Sequence, residues 1–454
     1  MLGAIQMLKR ILESKLESTL RFKARGLLSQ LVCILFFMVL VGGSMNAETK
    51  IQSVEINGVA VPLLFEQSKN LPVGSVQLVF IGGSADGAKA GLGNLSAKIL
   101  NEGTKDLGSV EFAKRLESKA ISLYASVGLQ TLNLELSYLK EFQNESFTLL
   151  NELLKQPNLT QEALSKVKTL TLNKLAQQED DFDTIAEQNL YKILFKDTPM
   201  AIPLLGDKQS VESVSLQDVE QFLQRNLVLK RLIIVAGGDL QENEFKTTLI
   251  KALSQLPVGE SKEKLSFEAI KTPKNISSKK PTQQAFVYFG SRFTNADKTK
   301  NYMARVMSFI LGGSGFGSRM MEEVRVKRGL AYSAYMRVNV GGAAEYISGY
   351  LQTKLENKDE AIRVVKEVIE EFVNNGVSEE ELNAAKAFLL GSEPLREESL
   401  SQRLNAKFLN YFRDLPLDNH KRELEQIKEL KLEDLNAYIK SHKEILELSF
   451  SVVE

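Results

Sequence analysis

Arg325 and Tyr332 stand seven residues apart in "EEVRVKRGLAY", and together they could hold a peptide backbone. An arginine fork and a phenol both donate hydrogen bonds to a carbonyl oxygen, including one that gains negative charge during amide cleavage. Singly, such residues are ordinary occupants of a helix surface and a wet strand, so the pair needs a context. The preceding "GGSGFGS" (Gly312–Ser318) permits close backbone approach and unusual dihedrals. It is not a phosphate loop, because no Gly-Lys-Ser/Thr follows and the element before it reads as helix. Metal ligands are scarce. The chain has one cysteine, Cys33, and two histidines, His420 and His442, whereas a zinc enzyme takes most of its nitrogen ligands from histidine. The spacings His420/Glu423 and His442/Glu444 read as solvated pairs on charged helices. A lone cysteine also excludes an intramolecular disulfide.

The elements that must position these residues come in two sets. At 454 residues the chain is too long for one compact domain, and 43% apolar residues suffice for more than one core. A formal net charge of zero, with basic residues spread along the chain, excludes an electrostatic case for nucleic acid. Asn57-Gly58 lies between β-rich runs, a hairpin signal. "GSVQLVFIGGSAD" reads as a strand buried on both faces, and Leu92–Asn101 and Val110–Lys119 read as helices. Ser122–Leu139 alternates as two strands. Helical patterns follow over Lys140–Lys155, Thr160–Gln178 and Phe182–Leu194, then a short buried strand in Lys230–Leu240. Residues 257–284, rich in Lys, Ser and Pro, read as a linker. The order then repeats: strand "QAFVYFGSRF", two helices, two alternating strands, and helices over Lys358–Asn374 and Ser378–Gly391. The fold class expected is α+β, two similar domains, each an antiparallel-rich sheet covered by helices. Their bounds are 48–256 and 285–454.

Residues 1–47 form a separate region. A basic stretch precedes the apolar run "LLSQLVCILFFMVLVGG" and gives way to "SMNAETK", the pattern of a secretory signal, with cleavage expected after Ala47. Left uncleaved, the run is an anchor with its basic end in the cytoplasm. Cys33 within it reads as packing. Both versions put the remainder outside the cytoplasm, periplasmic or held at the inner membrane and facing the periplasm.

On these residues the chain resembles the pitrilysin and mitochondrial processing peptidase family, the zinc peptidases with the inverted His-x-x-Glu-His motif. "NGVAVPLLFE" and "GSVQLVFIGGSAD" look like its opening strands, and "GLGNLSAKILNEGT" looks like its motif helix, Gly-Leu-x-His-x-x-Glu-His followed by Gly-Thr. "TPMAIPLLGDKQSVESVSLQDVEQFL" is similar to its Pro-to-Gly segment, and "GSGFGSRMMEEVRVKRGLAYSAY" to the signature of its C-terminal half. The resemblance implies that each chain forms half of a clamshell. It places the two metal histidines on Asn94 and Lys98, the general base on Ala97, and the further glutamate ligand on Lys174. An amide, a methyl and two ammonium groups stand where zinc would need ligands and a base. A lysine binds metal only after losing its proton, and without a glutamate nothing activates water.

The resemblance further implies that Arg325 and Tyr332 face a zinc across the cavity and bind the substrate backbone, and that the glycine loop lies near the substrate or the facing subunit, with Gly313 and Gly315 as candidate substrate contacts. Bacterial members are often heterodimers, one chain carrying the His-x-x-Glu-His motif and the other the Arg/Tyr pair. The expectation is therefore a non-catalytic, substrate-binding subunit of a two-chain zinc metallopeptidase. Its partners would be a homologous subunit with the intact motif, which holds the zinc, and a peptide substrate. This chain itself would hold no cofactor, bind no nucleic acid, and meet a membrane only through an uncleaved N-terminal segment. The alternative is a catalytically silent structural or peptide-binding protein of the same fold, including a homodimer that binds peptides without cutting them.

Overall fold

The computed structural model describes residues 49–454 apart from Phe316, and residues 49–454 form one compact unit. The expected leader and Cys33 lie outside the described residues. Among the described residues no helix is long and apolar enough to cross a membrane.

The chain folds as two α+β halves with the same plan. In the first, β1 (Lys50–Ile56) and β2 (Val59–Gln67) form the expected hairpin. Asn57 and Gly58 both have positive φ, 51° and 76°, as a tight turn between twisted strands requires. With β3 (Val73–Ile81), β4 (Ser122–Val127), β5 (Thr131–Leu139) and β6 (Leu232–Gly238) they build a sheet in the order β1-β2-β6-β3-β5-β4. The second half contains β7 (Phe267–Glu268), β8 (Asn275–Ser278), β9 (Gln284–Arg292), β10 (Ala331–Asn339), β11 (Ala344–Lys354) and β12 (Ser449–Val453). Its main path is β8-β12-β9-β11-β10. This repeats β2-β6-β3-β5-β4 strand for strand. Even the one parallel neighbour pair recurs, β2 with β6 and β8 with β12, within otherwise antiparallel paths.

Residues 257–284 are less of a linker than their composition suggests. Phe267–Glu268 pairs with β11 and Asn275–Ser278 with β12, so short polar strands complete the second sheet at its margins. Edge strands this short carry too little alternation to register in a periodicity reading.

Alternate residues of each strand face opposite ways, which explains the continuous apolar runs. In β6, Leu232, Ile234 and Ala236 enter the main core of the first half, while Ile233 and Val235 join Leu64, Val79 and Leu404 on the reverse face. Leu404 belongs to the Leu400–Phe412 helix of the second half. Reciprocally, the Phe182–Leu194 helix of the first half packs on β9 and β12, and its Leu190 and Leu194 cluster with Ala344 of the second sheet. Each half thus lends one helix to the back of the other's sheet. Two glycines make room for them. A Cβ at Gly237 would lie 3.1 Å from Leu400 and Leu404, and one at Gly290 would lie 2.9 Å from Leu194.

Candidate functional site

The helix carrying the substituted motif spans Leu92–Leu100 and is buried along most of its length. Its start is fixed by Gly91, φ 80°, where a Cβ would fall 2.5 Å from the Leu205 carbonyl oxygen. A side chain is excluded there both by conformation and by space. The segment around Leu205, read from its Pro-to-Gly pattern, therefore sets the helix in place. Beyond the helix end, Asn101 takes both main-chain groups of one residue in edge strand β4. Its Nδ2 donates to the Ala125 carbonyl (2.9 Å), and its Oδ1 accepts from the Ala125 amide (2.7 Å).

Asn94, Ala97 and Lys98 lie on one side of this helix, which packs against the Gln161–Gln178 helix. The latter starts at an N-cap where Thr160 Oγ1 accepts from the Ala163 amide (3.2 Å). It carries Thr171 and, one turn on, Lys174. Lys98 Nζ donates to the buried Thr171 hydroxyl at 2.9 Å. Burial, and then the Lys174 charge, hold the Lys98 ammonium below its ordinary pKa of 10.5. Asn94 is buried, and among the described residues its Nδ2 has no hydrogen-bond partner. Ala97 is buried.

These residues do not fit zinc. The best donor is a protonated amine beside a second cation, the amide is a weak ligand, and the methyl can neither bind nor accept a proton. Among the described residues no cluster of three His, Cys, Asp or Glu could hold a metal.

The histidines depart from the solvated pairs expected for them. His442 is buried, stacked on Phe293 with centroids 4.4 Å apart, and its Nδ1 lies 2.9 Å from Glu444 Oε1. His420 is half-buried, with Nε2 against Glu393 rather than Glu423 and Nδ1 accepting from Arg305 (3.3 Å). Spacing along a helix identified Glu423 as a neighbour. The actual partners, Glu393 and Arg305, come from distant parts of the chain.

The second set of residues sits in the other half. Two wide turns flank the glycine loop, closed by hydrogen bonds from the Ser314 amide to the Phe309 carbonyl (3.2 Å) and from the Lys327 amide to the Glu322 carbonyl (2.9 Å). Such i-to-i+5 turns are uncommon and recur at functional sites. Gly313 ends the first turn. Gly315 has φ 66°, and a Cβ there would meet nothing within 4 Å. Arg325 lies on the second turn and Tyr332 near the start of β10, inside a register shift between Ala331 and Ala334. The Arg325 guanidinium carbon stands 4.5 Å from the Tyr332 ring centroid. Tyr332 is 80% exposed, which is unusual for so large a ring. The two are therefore joined by a cation–π contact, with Arg325 half-buried and the Tyr332 ring in solvent.

One cluster gave no signal in the sequence. Tyr335, Tyr350 and Tyr288 form a row across β10, β11 and β9, with successive ring centroids 5.5 and 4.8 Å apart. Asp183 of the borrowed helix approaches them, and burial raises its carboxyl above the ordinary range. Only the strand register aligns these three tyrosines.

Repeated α+β halves, one with a helix that resembles an inverted zinc motif and the other with an arginine–tyrosine pair, define a scaffold of the zinc-peptidase type. The chain belongs to peptidase family M16. Residues 63–208 match the family described as Insulinase (Peptidase family M16), and residues 213–389 match the Peptidase M16 inactive domain. It is 44% identical over 402 residues to the "Non-peptidase homolog YmxG" of Helicobacter pylori, across 88% of this chain and 93% of that protein. It also resembles an "Uncharacterized zinc protease" of Mycobacterium tuberculosis, 26% identical over 60% of this chain and 62% of that protein. Among solved structures, the peptidase M16 inactive domain from Pseudomonas fluorescens superposes with a TM-score of 0.81 at 23% identity, over 89% of this chain and 97% of that one. A protease from Helicobacter pylori superposes at 0.77 and 16% identity, over 89% and 99%.

Proposed function

We propose that this chain is the non-catalytic, substrate-binding subunit of a two-chain zinc metallopeptidase acting outside the cytoplasm. The observation that carries the reading is the contact between half-buried Arg325 and exposed Tyr332, standing in a chain whose expected metal positions hold an amide, a methyl and two ammonium groups. A homologous partner with an intact His-x-x-Glu-His helix supplies zinc and the water-activating carboxylate. This chain supplies the guanidinium and the phenol, which donate to the carbonyl of an extended peptide as its oxygen gains charge. Gly315 leaves its backbone open to close approach, whereas a Cβ at Gly313 would lie 2.9 Å from the Ser308 carbonyl oxygen. The description of the Helicobacter pylori relative as a non-peptidase homologue supports the absence of catalysis by this chain alone.

The test is reconstitution with the motif-bearing homologue from the same genome. The chain alone is expected to bind no stoichiometric zinc and to cleave no peptide, and the pair to do both. Arg325→Ala or Tyr332→Phe is expected to lower turnover of the pair about tenfold or more while its zinc content stays constant. Full turnover in both variants refutes the assigned role.

A further inference from the structure

The substituted metal positions are more than a vacated site. Asn94 and Lys98 share one side of the Leu92–Leu100 helix, which packs against the Gln161–Gln178 helix that carries Lys174, and all three side chains offer hydrogen-bond donors. Lys98 Nζ gives one proton to Thr171 Oγ1, and an ammonium has three. Lys174 lies near enough for its charge to act on Lys98. Among the described residues neither lysine has a carboxylate within salt-bridge distance, although the nearby Lys89 pairs with Asp218 at 2.6 Å and Lys166 with Glu102 at 2.6 Å. The buried Asn94 Nδ2, one helical turn before Lys98, completes the set without an acceptor. A buried polar group with no partner and two like charges acting on one another are each unfavourable. One negatively charged acceptor would relieve both.

We infer that the Asn94–Lys98–Lys174 cluster is an anion site that takes a carboxylate presented by a peptide. The donors are side chains, Asn94 in the first turn and Lys98 in the last turn of one helix and Lys174 on the other. They include no arginine fork and no run of main-chain amides at a helix start, the arrangements that favour phosphate. A carboxylate offers two oxygens with about four acceptor positions, enough for two ammonium groups and one amide. The carboxylate belongs either to a peptide C-terminus or to an Asp or Glu side chain. This inference does not rest on the two-chain reading, since the groups all belong to this chain and their ligand need not be cleaved.

The test measures, by isothermal titration calorimetry, the binding of unlabelled N-acetylated pentaalanine to the purified full-length protein at low ionic strength. Three peptides are compared: one with a free C-terminal carboxylate, one amidated, and one amidated with an internal glutamate. One of the two carboxylate-bearing peptides is expected to bind about tenfold or more tighter than the neutral peptide, and which one identifies the source. Lys174→Gln, an exposed position, is expected to remove most of that advantage without lowering the melting temperature, and Lys98→Met to remove all of it. Equal affinity for the three peptides overturns the inference. So does a carboxylate preference that survives Lys174→Gln and Lys98→Met, or competition by inorganic phosphate stronger than by acetate.

Discussion

Arg403→Met tests whether the exchange of helices between the halves holds the scaffold together. Glu66 of β2 has a side chain only 1% exposed, and its charge is met from the other half of the molecule. Arg403 on the Leu400–Phe412 helix places Nε and Nη2 each 2.8 Å from Glu66 Oε1, while Thr49 Oγ1 donates to Oε2 at 2.8 Å. Removing the guanidinium leaves a buried carboxylate with one hydroxyl donor. Breaking a buried pair from one side costs about 3–5 kcal/mol. Arg403 is itself 23% exposed, so water can enter the space it leaves, and the lower end, about 3 kcal/mol, is the expected loss. Replacing both partners, Glu66→Gln with Arg403→Met, removes the stranded charge and should cost only about 1 kcal/mol. The chain has no tryptophan, so urea unfolding is best followed by far-ultraviolet circular dichroism. A single variant within 0.5 kcal/mol of the parent by such curves, or a double variant no better than Arg403→Met, would refute the coupling.

Tyr332→Ala is expected to leave the melting temperature within about a degree of the parent, since an exposed cation–π contact contributes only about 0.5–1 kcal/mol; a large drop by calorimetry would make the pair structural instead. Lys98 titrates with a definite sign. Its folded pKa lies below the unfolded value, so the unfolded chain holds more protons between the two, and the penalty present at neutral pH is relieved as pH rises through the folded pKa toward 10.5. Urea midpoints should therefore rise with pH over that window relative to those of Lys98→Met, and parallel profiles would contradict the environment described. Asn101→Ala removes two hydrogen bonds to Ala125 and should cost about 1–2 kcal/mol, with faster hydrogen exchange at the Ala125 amide in particular.

What could be read in the sequence depended on how local its physical cause was. The hairpin at Asn57-Gly58 was legible because two adjacent residues tolerate the positive φ the turn demands. The helix over Phe182–Leu194 was legible from its pattern, but the sheet it covers was not, because an apolar stripe does not name its partner. Helices Leu400–Phe412 and Leu432–Ser441 and strand β12 escaped notice altogether. The last, five residues buried on both faces, lacks the alternation that identifies a half-buried strand. His442 failed for a similar reason, since its burial depends on Phe293, which reaches it from far along the chain. For the site, the resemblance supplied the candidate residues that periodicity could not. Lys98 and Lys174 were paired by the family's spacing alone, and the structure brings their charges into mutual influence across two helices.

That convergence explains how the metal chemistry could change without the architecture. The motif helix is held by Gly91 against Leu205, by Asn101 on Ala125 and by Leu92, Leu95, Ile99 and Leu100 in the core, none of which would be a zinc ligand or the base. Substitution at Asn94, Ala97, Lys98 and Lys174 therefore alters the chemistry of one face and leaves the supports of the helix in place. A neutral apolar filling would have been the least costly outcome at a face that had merely fallen idle. Two ammonium groups and an unpartnered amide are not that filling. Their cost in the unliganded chain is the physical reason to look for an anion there.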